Sequence, residues 1–221
     1  MERDRGKTCP RCDKAGLVHG IQALEVSGKV IGEFPGLGCP NCRYVCFDED
    51  TSIEIGKVIK ELDVSPIDPV DLVLLLLYSY EGPILGAISF MKETFLLVQE
   101  KFKEFDIPVL SPKFIPYYYG PYSFDIVESW YNLEQIGLIR IEGKRSSPKE
   151  CFWLTEEGRE EAKEIFDSLP EGLRKELPAW RKGLDQLGND ILKEVYIKYP
   201  EYTDKSKIKD KVLPKRVHGR A

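Results

Sequence analysis

The chain has 221 residues, with 32 lysines and arginines against 37 aspartates and glutamates, a net charge of -5, and 42% hydrophobic residues. That length holds one ordinary hydrophobic core plus a small second unit, and the composition is that of a soluble globular protein. An acidic balance excludes a surface coated in positive potential, so any contact with nucleic acid must be local. The longest apolar run, residues 72–80, falls short of the ~20 residues that cross a bilayer and reads as a buried helix. Residues 1–5 have no apolar stretch behind them that would make a secretory signal, so the expectation is a cytoplasmic protein without membrane association.

Six cysteines are present, and four of them form two Cys-Pro-x-Cys knuckles, Cys9 with Cys12 and Cys39 with Cys42. Two-residue spacing lets both thiolates of a knuckle turn toward one point, and two knuckles supply the four soft ligands of tetrahedral zinc. In a cytoplasmic chain this outranks disulfides. Four sulfur ligands leave no open position for an activated water, so the expected Zn2+ is structural, although a rubredoxin-like iron site uses the same sulfurs. Cys46 and Cys151 read as small buried apolar residues. The twenty-six residues between Cys12 and Cys39 carry short alternating segments at 24–26 and 29–31 around Ser27-Gly28, which predicts a hairpin with a tight turn between the knuckles. Residues 1–60 are therefore expected to form a zinc ribbon.

Residues 61–69 read as a linker, with Pro66 and Pro69 disfavouring helix until Pro69 can occupy a first turn. Asp68 then caps a helix from Val70 to Tyr80, and a second helix is predicted from Ile84 to about Phe105. The segment from Phe114 to Ser123 places Tyr117, Tyr118, Tyr119 and Tyr122 in one turn, which suits either a rigid aromatic corner or a partner-binding surface. Ser123 caps a helix from Phe124 to Ile136, followed by strands at Leu138 to Glu142 and Cys151 to Leu154 joined by a basic loop. Helix, strand, basic loop, strand is the order of a winged helix, so the fold class is α+β, mainly helical: a ribbon followed by a winged-helix-like domain with a small hairpin wing. Lys144, Arg145 and Lys149 at the wing are the candidates for phosphate contact in DNA binding. The helix ahead of them opposes this, since its exposed positions are expected to include Asp125, Glu128 and Glu134.

The acidic start after Thr155 predicts another helix, Pro170 and Pro178 punctuate the chain, and a last helix is expected from about Leu184 to Tyr199. This gives a main domain over 70–168, a helical extension over 169–204 and a basic tail over 205–221. The tail adds Lys205, Lys207, Lys209, Lys215 and Arg216 as candidate nucleic-acid contacts. With only His19 and His218, no histidine-based catalytic arrangement can be assembled, and the Gly6-Lys7-Thr8 and Gly32, Gly36, Gly38 patterns lack the context of a phosphate loop. No enzymatic activity is expected.

Two resemblances follow from these residues. The layout over residues 7–55, a CPxC knuckle, the stretch "GIQALEVSGKVIGEFPGLGC" and a second knuckle leading into "FDEDTS", resembles the YgiT-type zinc finger found in some bacterial antitoxins. The strings "ILGAISFMKETFLLVQE", "FIPYYYGPYSFDIVESWYNLEQIGLI" and "FWLTEEG", within 70–168, look like the Panacea or SocA-like domain. That likeness implies a mainly helical, winged-helix-related domain that acts on a partner protein by direct contact. The expectation is thus a zinc-stabilised regulator or adaptor, antitoxin-like or transcription-associated. Its partner is a macromolecule, a protein first and nucleic acid through wing or tail second, and a homodimer is compatible with it. The competing expectation is a factor that binds the ribosome, RNA polymerase or another nucleoprotein.

Overall fold

A computed structural model describes residues 8–62, 65–145 and 147–213. The fold is α+β, about half helical, with three small antiparallel sheets among the described residues. Strands β1 (Val18–Val26) and β2 (Lys29–Gly38) form one long hairpin, and β3 (Val45–Cys46) adds to the far end of β2. At the hairpin turn Ser27 and Gly28 both take positive φ, 50° and 77°, the type I′ geometry whose twist matches the strands. The strands run well beyond the six residues predicted. Gly32 and Gly36 lie inside β2, where the rings of Phe34 and Phe47 occupy the space a side chain would need.

Helix α1 (Glu49–Lys60) follows, and Asp48 caps it by accepting from the Thr51 N–H at 2.8 Å. Helix α2 (Pro69–Tyr78) begins at a capping box in which Asp68 and Asp71 satisfy each other's backbone N–H, and Leu72 through Leu77 are all buried. The predicted second helix starts later than expected. Ile84–Leu85 is instead strand β4, because Gly86 takes a φ of 82° and breaks the helical path before α3 (Ala87–Leu96), which continues into a π-helical turn over Leu97–Phe102.

The tyrosine-rich segment is a hairpin, β5 (Ile115–Tyr117) and β6 (Gly120–Tyr122). Ser123 caps α4 (Phe124–Gln135), and β7 (Ile139–Glu142) and β8 (Cys151–Leu154) form the next hairpin, with β4 on its far side. Helices α5 (Glu156–Ser168), α6 (Glu171–Leu187), α7 (Ile191–Lys198) and the short α8 (Lys209–Val212) follow among the described residues. Pro178 was expected to interrupt this region, yet α6 runs through it. Its ring lies on the exposed side, while Leu173, Leu177 and Leu184 on the opposite face are buried, and that burial outweighs the lost backbone bond.

The main core gathers around α2, with the rings of Phe90, Trp130 and Phe152 joining α3, α4 and β8 at centroid distances of 4.8 to 5.0 Å. The charged side chains of Arg181, Glu93 and Lys92 are sealed in it. Arg181 Nε lies 2.7 Å from Glu93 Oε2, an ion pair whose atoms approach without the alignment of a hydrogen bond. Lys92 Nζ donates to the Pro121 carbonyl at 2.7 Å. Among the described residues no helix is long and apolar enough to cross a membrane.

Candidate metal centre and its surroundings

Each knuckle is a tight turn in which the carbonyl of the first cysteine accepts a backbone N–H four residues on, from Asp13 to Cys9 at 2.9 Å and from Arg43 to Cys39 at 3.0 Å. Asp13 and Arg43 take φ of 50° and 60°, so both knuckles use the same left-handed residue just past their second cysteine. The Cys9 N–H donates to Ala15 and the Cys39 N–H to Tyr44, each at 2.7 Å. The repeat orients four sulfurs at one point. The sulfurs of Cys9 and Cys42 are 3.6 Å apart, those of Cys12 and Cys39 3.7 Å, and all four lie within 4.8 Å of one another. Tetrahedral coordination with metal–sulfur bonds of about 2.3 Å needs about 3.8 Å between sulfurs, so the donor set fits a zinc-like ion with little movement. Iron asks for the same arrangement.

Cys9, Cys39 and Cys42 are at most 4% exposed, and Cys12 is partly open. Burial pushes the Cys42 and Cys39 thiols up. Burial also opposes ionisation of Cys12, but hydrogen bonds from the Lys14 backbone and the Asn41 side chain outweigh it and bring that thiol down to about 6. A bound cation would take all four as thiolates and release their protons. Cys46 lies outside the group of four, with its thiol toward the Phe47 carbonyl.

The cysteine-bearing sheet is tied to the helical body at both ends. At the hairpin turn, Ser27 N–H donates to Val109 at 2.8 Å, Ser27 Oγ donates to the Ile107 carbonyl, and Val26 bridges to Leu110. The 107–110 strip also bonds to Ile67, so it splices the segment before α2 to the sheet. At the knuckle end, Ile115, Tyr117 and Phe124 pack against the cysteines. Arg11, inside the first knuckle, reaches Asp125 and Glu128 on α4 and lies over the Tyr44 ring at 4.7 Å. Burial works against this guanidinium, but the two carboxylates more than offset it and raise its pKa above the ordinary value. Between sheet and body runs an open cleft of about 1570 Å³ whose walls mix Lys29, Arg43, Lys103 and Lys113 with Glu25, Asp106 and Asp125.

The tyrosines expected to act together form a stack. Tyr117 lies between Tyr118 and Tyr122 at 4.4 and 4.7 Å, and Phe124 meets Tyr122 edge-on. Only Tyr119, 43% exposed at the hairpin tip, stands clear of it. Of the wing candidates, Arg145 pairs with Glu134 at 2.5 Å and covers the Tyr131 ring, whereas Lys144 and Lys149 are exposed. In the tail, Lys209 pairs with Asp204, Lys207 lies over Tyr118, and Lys205 borders a hollow beside the tyrosines; Lys215 and Arg216 fall outside the described residues. Sequence reasoning missed Arg11 and Lys14. Both are cations in or beside the first knuckle, and their partners are more than a hundred residues away.

No family model matches the chain, and no curated protein or solved structure matches it.

Proposed function

We infer that the chain is a noncatalytic, zinc-stabilised regulator or adaptor that binds a macromolecule, built from a zinc ribbon and a winged-helix-like body. The observation that carries this reading is the set of four converging sulfurs, which fills every position of a tetrahedral ion and leaves none for an activated water or a substrate. The ion then serves as a staple for the sheet that Arg11 and Ser27 dock onto the body. The order α4, β7, basic loop, β8 supports the winged-helix reading, and the resemblances to YgiT-type and Panacea-like proteins favour an antitoxin-like or transcription-associated role with a protein partner.

The α4 face carrying Asp125 and Glu128 is held by Arg11, which disfavours insertion of α4 into a DNA groove. We therefore assign partner contact to the hairpin tip at Tyr119 and to the wing at Lys144 and Lys149. A second reading, a factor that docks on the ribosome or RNA polymerase, is favoured by the lysines beside the tyrosine stack. Affinity capture from native extract tests both, with wild type and a Tyr119→Ala, Lys144→Ala, Lys149→Ala variant compared. One small protein held by wild type and lost by the variant supports the first reading; ribosomal subunits or polymerase support the second. Recovery of identical proteins by both would remove Tyr119 and the wing from the partner surface.

A further inference from the structure

Two lysines from opposite ends of the chain, Lys14 and Lys205, line one small hollow, and a third, Lys207, lies against the tyrosine beside it. The hollow has a volume of about 90 Å³ and is walled by Lys14, Asn41, Ile115, Pro116, Tyr117, Tyr118 and Lys205. Lys14 Nζ lies 5.5 Å from the centroids of both Tyr117 and Tyr118, and Lys207 Nζ sits 3.6 Å above the Tyr118 ring. The Lys207 N–H and the Ser206 hydroxyl both donate to the Tyr118 carbonyl, so the chain around Lys207 is fixed there. Among the described residues, the ion pairs take up Lys101, Lys163, Lys175, Lys193, Lys198 and Lys209, but none involves Lys14, Lys205 or Lys207. On a chain of net charge -5, two such ammoniums at one concavity and a third on the adjoining ring create a local field that attracts an anion.

We propose that this hollow binds a backbone phosphate of single-stranded nucleic acid, with Lys14, Lys205 and Lys207 as the cations and the tyrosine edge as the surface for the adjoining nucleotide. A volume of about 90 Å³ admits a group the size of one phosphate and is too small for a whole nucleotide. Tyrosine rings beside lysines are the combination that holds single strands, in which the base is free to leave its neighbours. The mixed charge of the large cleft gives it no such preference. This inference rests on the reading of the chain as macromolecule-binding and names the chemistry of one partner.

The test is fluorescence anisotropy of the full, metal-loaded chain with a labelled uridine oligonucleotide of roughly twelve residues at low salt. Wild type is compared with Lys14→Ala/Lys207→Ala and with the wing control Lys144→Ala/Lys149→Ala. The hollow holds one phosphate, and roughly 0.7 counterions are released per phosphate neutralised on a single strand, so the slope of log affinity against log salt should fall by about 0.7 in the first variant, with at least a tenfold loss of affinity. The wing variant should match wild type. A Lys207→Gln variant, which changes one exposed side chain, should lose part of the affinity while keeping metal content and circular dichroism unchanged. An unaltered slope in the first variant, or an equal loss in the wing variant, would overturn the assignment. A duplex, free phosphate or uridine monophosphate that competes as well as the strand would overturn the choice of single strand. Capture of a protein partner without oligonucleotide binding would sink this inference alone; oligonucleotide binding without a protein partner would sink only the protein reading.

Discussion

Replacing Lys92 by methionine should reverse its effect on stability between neutral and alkaline pH. Lys92 is 2% exposed, and its Nζ meets the Pro121 carbonyl at 2.7 Å, one acceptor for an ammonium that carries three donors. Burial pulls its pKa from 10.5 down to about 7. Between those values the unfolded chain holds a proton that the folded chain has released, so stability rises with pH across this window. At ~1.36 kcal/mol per pKa unit, the penalty that Lys92 places on the fold is about 4 kcal/mol at pH 7.5 and about 1.5 kcal/mol at pH 9.5. The Lys92→Met variant escapes that penalty but leaves the Pro121 carbonyl without its donor, a loss of about 1–3 kcal/mol. The variant should therefore be more stable than wild type at pH 7.5 by about 1–3 kcal/mol, and equal or less stable at pH 9.5. Glu93, next in the chain, is held above its ordinary value by burial, to about 7, so the penalty it places on the fold grows as pH rises toward 7 and levels off below the chosen window. Urea unfolding followed by tryptophan fluorescence at the two pH values measures the difference directly. A gap between variant and wild type that stays the same at both would show that the amine is hydrated or otherwise paired, and the reasoning would fail.

Metal analysis of the purified protein should find one zinc or iron per chain. Cys39→Ser or prolonged chelation should abolish it, with exposure of the apolar cluster of Ile115, Tyr117 and Phe124 read by dye binding. Arg11→Ala should cost about 1–3 kcal/mol in thermal or urea unfolding, because it strands two carboxylates on α4, one of them largely buried; an unchanged midpoint would mean that the sheet is held at Ser27 alone. Gly120→Ala should destabilise by a similar amount, about 1–3 kcal/mol, since φ is 87° there and the new methyl would lie 2.9 Å from the Tyr196 ring. The tyrosine hairpin should then take up limited proteolysis faster than in wild type.

The convergence of the four cysteines was legible because a knuckle is a local device. Two residues between cysteines fix where the sulfurs point, whatever the rest of the chain does. Capping residues were legible for the same reason: Asp68, Ser123 and Thr155 each accept a backbone N–H within three residues, and α2, α4 and α5 begin where those side chains place them. Positions decided by distant contacts were not. Ile84 and Leu85 read as helix on their own apolar pattern, but they pair with β8 nearly seventy residues later. Pro178 reads as a break, and only the core contacts of the opposite face show why α6 continues.

The carboxylates of α4 show what such distance means for function. Taken alone, Asp125 and Glu128 argue that this helix repels phosphate and faces solvent. In the fold they face Arg11 of a knuckle 114 and 117 positions earlier, so their charge is spent within the molecule and holds the cysteine-bearing sheet against the body. The same contact turns that sheet from an appendage into a wall, and it brings Lys14, two residues past the knuckle, beside Tyr117 and Tyr118. The tail completes the group by laying Lys207 on the outer face of Tyr118. An ion held by the four sulfurs would act by position: by fixing the first knuckle it would fix Arg11 and Lys14, and removing it should disrupt the proposed phosphate-binding hollow. Loss of oligonucleotide affinity on chelation, recovered on adding zinc, would connect the two; affinity that survives metal removal in full would separate them.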